Sequence, residues 1–191
     1  MVVLFEGIDT CGKSTQLELL KQKHPQIITT KEPGGTAFGI KAREILLESA
    51  ILSKRAELLL FLADRAEHYE EIIQPNQDKL IISDRGFISG IGYALANGDF
   101  ELDELVTLNR FALQGDFPDK VILFLTDIQT LQERLGSKSL DGIEERGLEY
   151  LLSVQEHMKQ TILALEIPHL FIDASDSIEH IHQMILTYLK V

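Results

Sequence analysis

Five short apolar runs punctuate the chain, at 2–5, 26–30, 79–83, 121–125 and 168–172, and between them the apolar residues recur at helical intervals. A run such as Leu80, Ile81 and Ile82, without polar alternation, predicts a strand buried on both faces, as in a parallel sheet. Helical spacing predicts helices over 14–23, 37–47, 53–73, 86–96, 103–113 and 128–135. Ser53 is placed to cap the third of these, with Ala56, Leu59, Leu60, Ala63, Ala66 and Ile73 as its stripe. In 37–47 Ile40, Arg43 and Leu47 share a side, and in 103–113 Leu105, Leu108, Phe111 and Ala112 form the apolar side. Asp141 with Glu144 resembles a helix-opening box, followed by a buried side of Leu148, Leu151, Leu152, Met158, Ile162 and Leu165. Asp176 with Glu179 opens a last helix with Ile178, Ile181, Ile185 and Leu189 inward. Strands alternating with helices predict an α/β fold: a five-stranded, mainly parallel sheet with helices on both faces, in one domain over 1–191.

The first strand runs into Gly7-Ile8-Asp9-Thr10-Cys11-Gly12-Lys13-Ser14, which matches the phosphate-loop pattern. Gly7 and Gly12 let the backbone curl so that N–H groups point into one concavity, and Lys13 brings a positive charge to the β- and γ-phosphates. Ser14 can offer its hydroxyl to magnesium, and the helix that follows adds its N-terminal partial charge. Residues 7–15, Thr15 included, are therefore the expected ATP contacts. Cys11 sits inside this loop; a small residue that fits beside phosphate accounts for it more simply than a reactive thiol.

Ligands of such a sheet bind at the carboxyl ends of its strands. Lys31-Glu32-Pro33-Gly34-Gly35-Thr36 follows the second strand, and Asp84-Arg85 ends the third. An acid at the end of a buried strand suits a magnesium-organising carboxylate, and Arg85 can clamp a phosphate with two N–H groups. Phe61 and Arg65 lie four apart on one helix. Either they stack and hydrogen-bond a nucleobase, or Phe61 is core and Arg65 is solvated or laid against Tyr69. Ser89 and Tyr93 are likewise four apart, on the glycine-rich helix after Arg85. His180 and His182 cannot share a helical face, so a metal pair there is not expected.

Composition narrows the partners. With 18 basic against 30 acidic residues the net charge is -12, which argues against a general grip on nucleic acid and leaves room for a local phosphate site. One cysteine excludes an internal disulfide and suits a reducing cytoplasm. No apolar run reaches the roughly 18 to 20 residues of a membrane span, so a soluble, unprocessed protein is expected.

Taken in order, Phe5-Glu6-Gly7-Ile8-Asp9, Lys31 to Thr36, Leu60-Phe61-Leu62-Ala63-Asp64-Arg65, Ser83-Asp84-Arg85, Gly115-Asp116-Phe117-Pro118-Asp119 and Leu140-Asp141-Gly142-Ile143-Glu144 resemble the thymidylate kinases over nearly the whole chain. The resemblance implies magnesium-dependent transfer of the γ-phosphoryl of ATP to dTMP. It implies that Phe61 stacks on thymine and Arg65 hydrogen-bonds the base. Arg43 and Arg85 would hold the dTMP phosphate, with Glu32, Pro33 and Asp9 near the sugar, the phosphates or the metal's water shell. Tyr93, beside Ser89, would lie against the deoxyribose. Magnesium would rest on Ser14 and Asp84. A homodimer is also implied, through 103–113 or the helix from Ser53.

The chain departs from the family pattern at several points. Lys31 replaces an arginine, Gly86 an aromatic or histidine, and Gly90 and Ala94 stand where thymine-site polar residues are common. The loop 136–146, expected to be a short lid, carries Lys138 between Arg134 and Arg146 instead of an arginine cluster. Lys138 or Arg134 is thus expected to swing over the transferring phosphate, with Lys13, Arg85 and Asp9 as the other catalytic groups and Arg134 also among the ATP contacts. The alternatives are a kinase of the same fold acting on another nucleotide, dUMP for instance, or a nucleotide-state switch. The latter would want a guanine-reading Asn-Lys-x-Asp, which the sequence lacks.

Overall fold

A computed structural model describes residues 1–48, 53–135 and 147–191. The strands are β1 (Val2–Glu6), β2 (Ile28–Lys31), β3 (Ile81–Asp84), β4 (Lys120–Leu125) and β5 (His169–Asp173). The helices are α1 (Lys13–Lys23), α2 (Ala37–Glu48), α3 (Lys54–His68), α4 (Phe87–Ala96), α5 (Leu102–Ala112), α6 (Ile128–Leu135), α7 (Leu148–Ala164) and α8 (Ile178–Leu189). All four strand pairings are parallel, in the order β2-β3-β1-β4-β5. The central strand β1 therefore has neighbours that come much later in the sequence. Phe5 is in register with Asp84 and Glu6 with Leu123, so the phosphate loop and the end of β3 emerge side by side.

Alternation along β1 divides the core. Val3 and Phe5 pack toward α1 and α8 with Leu20, Ile172, Ile181 and Ile185. Leu4 faces the other layer, where Phe87, Ile88 and Ile91 of α4 meet Leu105 of α5 and Val154 and Met158 of α7.

Four expected helix faces are corrected. The buried side of α3 is Leu58, Leu62, Asp64, Arg65 and His68, whereas Leu59 is 60% exposed. Three of those five residues are polar, so a count of apolar residues finds the wrong face. Phe111 is 85% exposed beside a fully buried Leu105, and Ile40, Leu47 and Ile178 also face outward. Ser53 caps α3 as expected, accepting from the Ala56 N–H, but the cap of α8 is Ser177, accepting from His180 N–H at 3.2 Å, and not Asp176. Ser and Asp cap about equally well, so position decides: Ser177 directly precedes the first helical residue, Ile178. After α3 the backbone widens into a π turn (Tyr69–Ile73) and tightens into a 3₁₀ turn around Pro75 before β3. The Asp141–Glu144 box, Lys138 and the expected lid lie outside the described residues.

Candidate active site

The phosphate loop follows from two glycines at positive φ, the first of which has no room for a side chain. Gly7 has φ 143°, and a Cβ there would sit 2.7 Å from the Phe124 carbonyl and 2.8 Å from Cys11 Sγ. Gly12, φ 96°, is the N-cap of α1. Lys13 Nζ donates to the carbonyls of Gly7 and Ile8, both at 2.9 Å, so its charge is held across the loop. Cys11 is buried in the loop, with Sγ 3.5 Å from that ammonium.

A cavity of about 550 Å³ lies over this loop, lined by Asp9 to Thr15 together with Lys31, Glu32, Arg43, Asp84 and Arg85. Next to it opens a second recess lined by Pro33, Leu47, Phe61, Arg65, Ser89, Gly90 and Tyr93. Asp9, Glu32, Arg43 and Arg85 line both, so the two form one cleft with Arg85 at the junction.

Arg85 is strained into position. Its φ is 70°, a left-handed conformation that a side chain other than glycine adopts at a cost of order 1 kcal/mol. Nη1 donates to the Gly7 carbonyl at 2.5 Å and to Ser89 Oγ at 3.2 Å, and Nη2 donates to Asp9 Oδ1 at 2.8 Å. Burial works against the charge, but the negative groups around it, Asp9 and Asp84 among them, outweigh that and keep it protonated. Tyr93 lies with its ring centroid 6.0 Å from the guanidinium carbon.

Arg65 is neither solvated nor laid against Tyr69. It is buried, with Nε on Glu32 Oε2 at 2.8 Å and Nη1 on Asn109 Oδ1 at 2.7 Å, while Tyr69 donates to Asp116. Among the described residues its Nη2 has no protein partner. It faces Gly90, where a Cβ would come within 3.3 Å of it, and so stays available to a ligand beside Phe61. Glu32, which lines the cleft, is also the anchor of this arginine. Its other oxygen is 2.8 Å from His68 Nδ1, and His68 Nε2 is 2.7 Å from Thr30 Oγ1. Burial pushes the Glu32 carboxyl up, yet Arg65 and His68 outweigh it and hold the group below the usual carboxylate range. Asp64, behind Gly34 and Gly39, is instead pushed up to about 6 by burial and by the charge of Glu32.

Asp84 Oδ1 is buried without a hydrogen-bond partner, and Asp84 lines the same cavity as Ser14. Such an orphaned carboxylate oxygen fits a hard cation. Among the described residues no three His, Cys, Asp or Glu side chains converge, so magnesium would rest on Ser14, Asp84 and substrate oxygens, its usual mixed shell. Arg43 donates to the Pro33 carbonyl at 3.3 Å, at the mouth of the cleft. Arg134 Nη1 and Nη2 hold the carbonyls of Thr10 (3.0 Å) and Ala174 (2.6 Å), which ties its side chain to the backbone of the phosphate loop.

Sequence reasoning missed Glu6, buried behind the site, and His68 and Asn109, which hold its side chains in place. Glu6 carried a signal, being an acid at the end of an apolar strand, and His68 stands three residues from Arg65 on one helical face. Asn109 carried none, because only the packing of α5 on α3 brings it to Arg65.

The thymidylate kinase family model matches residues 5–185. Over the full length of both chains the sequence is 75% identical to a thymidylate kinase of Sulfurovum sp.. It is 56% identical to that of Campylobacter concisus, covering all of this chain and 99% of that one. The crystal structure of thymidylate kinase from Ehrlichia chaffeensis superposes with a TM-score of 0.79 at 26% identity, over 100% of this chain and 98% of that one. A phosphate loop facing a Phe-Arg recess across a shared arginine, together with these likenesses over the whole chain, places it in the thymidylate kinase family.

Proposed function

We propose that this protein transfers the γ-phosphoryl group of ATP to the phosphate of dTMP, giving ADP and dTDP. The observation that carries the reading is the single cleft in which the phosphate cradle and the Phe61–Arg65 recess meet at Arg85. ATP takes the cradle, its phosphates on the loop N–H groups and on Lys13, with the base and ribose toward the Arg134 side. dTMP takes the recess, thymine against Phe61 and hydrogen-bonded by Arg65 Nη2, the sugar by Tyr93. Arg85 and Arg43 aim its phosphate oxygen in line with the γ-phosphorus. Transfer asks for alignment and charge neutralisation more than covalent help, and no side-chain nucleophile is needed. Magnesium on Ser14 and Asp84 would supply neutralisation of the β- and γ-oxygens. Asp9, bonded to Arg85, keeps that guanidinium at the junction when the phosphates leave. We assign the lid to 136–146 and the covering cation to Lys138, since Arg134 is engaged elsewhere. A nucleotide switch is not favoured, because the acceptor recess has no purpose in one.

An acceptor panel with ATP and magnesium tests the reading: dTMP is expected to give the highest kcat/KM among dTMP, dUMP, UMP and dCMP. ADP formation should stop on chelation of the metal. Another nucleotide as best acceptor, or equal ADP formation without acceptor, refutes it.

We also infer a homodimer through the α2, α3 and α5 side. These helices pack in series and expose Phe38, Ile45, Leu59 and Phe111, an apolar surface of the kind that a second copy covers. Sedimentation is expected to give twice 21.5 kDa for the wild type, and the monomer mass for Leu59→Asp combined with Phe111→Asp. A wild-type monomer at tens of micromolar refutes the inference. We infer a cytoplasmic reaction from the lone thiol, Cys11, which suits a reducing compartment. Among the described residues no helix is long and apolar enough to cross a membrane.

A further inference from the structure

Glu6 occupies the last position of β1 on the Leu4 face, where the alternation asks for an apolar side chain, and it is fully buried. It does not line the cleft, and the transfer described above makes no use of it. A carboxylate kept in such a place is costly unless it has work to do. Its neighbours show what that work is. Ser89 donates its hydroxyl proton to Glu6 Oε2, and Arg85 Nη1 donates to the same Ser89 oxygen at 3.2 Å. A hydroxyl has one proton and two lone pairs. With the proton drawn inward to Glu6, the lone pairs face the guanidinium, so an acid behind the site fixes the sense of a bond at its front. Glu6 Oε1 has no hydrogen-bond partner, so Ser89 is the main recipient of what this carboxylate offers.

We propose that Glu6 is a positioning residue for phosphoryl transfer, holding the Arg85 guanidinium at the junction of the two nucleotide subsites through the Ser89 hydroxyl. This rests on the transfer reading given above. The charged groups facing Glu6 are Arg85, from the end of β3, and Lys13, from the phosphate loop; α4 presents Ser89, and β4 presents the uncharged Leu123 in register. Burial pushes the Glu6 carboxyl up to about 7, against the pull of Ser89, Arg85 and Lys13. The ionised form, the better acceptor, therefore takes over through the neutral range, and turnover rises with it.

The test is Glu6→Gln, which keeps the shape and removes the charge, with Ser89→Ala and the double variant beside it. Wild-type turnover of dTMP is measured first; if there is none, the transfer reading fails, and with it the ground for this proposal. Given wild-type turnover, Glu6→Gln is expected to lower kcat about tenfold, the scale of a slightly misplaced aligning group, with KM for ATP within about twofold. Ser89→Ala is expected to do the same, and the double variant to cost no more than the worse single, as for residues acting through one chain of bonds. The acceptor phosphate titrates in the same pH range, so the profile is read as a difference: the step near pH 7 shrinks in Glu6→Gln. Because the folded carboxyl titrates above its unfolded value, the charge weighs on the fold above pH 7, and Glu6→Gln should melt higher than wild type at pH 8 while turning over more slowly. Unchanged kcat in Glu6→Gln, losses that multiply, or an unaltered pH profile overturn the proposal. Should Glu6→Gln fail to fold, unchanged kcat in Ser89→Ala overturns it alone.

Discussion

Arg85→Ala lowers kcat/KM for dTMP by about a thousandfold and leaves the affinity for ATP within about threefold of wild type. The size is that of removing a preorganised cation from a transferring phosphoryl group. The selectivity follows from placement, because Lys13 and the loop N–H groups hold ATP without help from Arg85, whose two terminal nitrogens reach Gly7, Asp9 and Ser89 at the boundary with the second recess. Arg85→Lys restores the charge but not the planar fork, and should recover little of the loss. Alanine keeps the strained left-handed backbone, so the comparison isolates the side chain. Steady-state kinetics with calorimetric ATP binding decide it: a loss under tenfold, or an equal loss of ATP affinity, removes Arg85 from the junction.

Arg65→Ala is expected to act on two readouts at once. KM for dTMP rises by about a hundredfold as the Nη2 donor beside Phe61 disappears, in line with a site left without a charged hydrogen-bond partner. Stability falls by about 3 to 5 kcal/mol, because Glu32 keeps its buried charge with only His68 to face it. The pH dependence carries a definite sign. The carboxyl of Glu32 is held below its unfolded value, so its ionisation favours the fold above that value and the benefit is lost as acid protonates it. Without Arg65 that benefit shrinks, and the acid unfolding midpoint moves to higher pH. Denaturant melts across the acid range check this; an unchanged midpoint with a raised KM means that Arg65 reads the base without stabilising its own anchor.

The strands and the phosphate loop were legible because their causes are local. Leu80 to Ile82 and Val121 to Leu125 are apolar in succession, which only burial on both faces explains, and Gly7 and Gly12 announce a turn that side chains would block. Phe61, Arg65, Ser89 and Tyr93 were found through helical spacing, and the structure brings all four to one recess. What failed was long-range. The buried face of α3 is built from Asp64, Arg65 and His68, whose burial depends on Gly34, Glu32 and Thr30 in and beside β2 and on Asn109 in α5. No periodicity within α3 announces partners so distant. Phe111 was misplaced for the converse reason, since apolar spacing does not say which face a helix turns to its neighbours.

The strand order has a cost in time as well as a use in space. Val2 and Val3 find ladder partners on one side in Ile81 and Ile82, and Val3 on the other only in Lys120, so the innermost strand is not zipped on both sides until most of the polypeptide has left the ribosome. Its apolar run is a standing hazard for clumping during that interval, and chains cut short before β4 are expected to be captured by chaperones instead of settling into a half-built kinase.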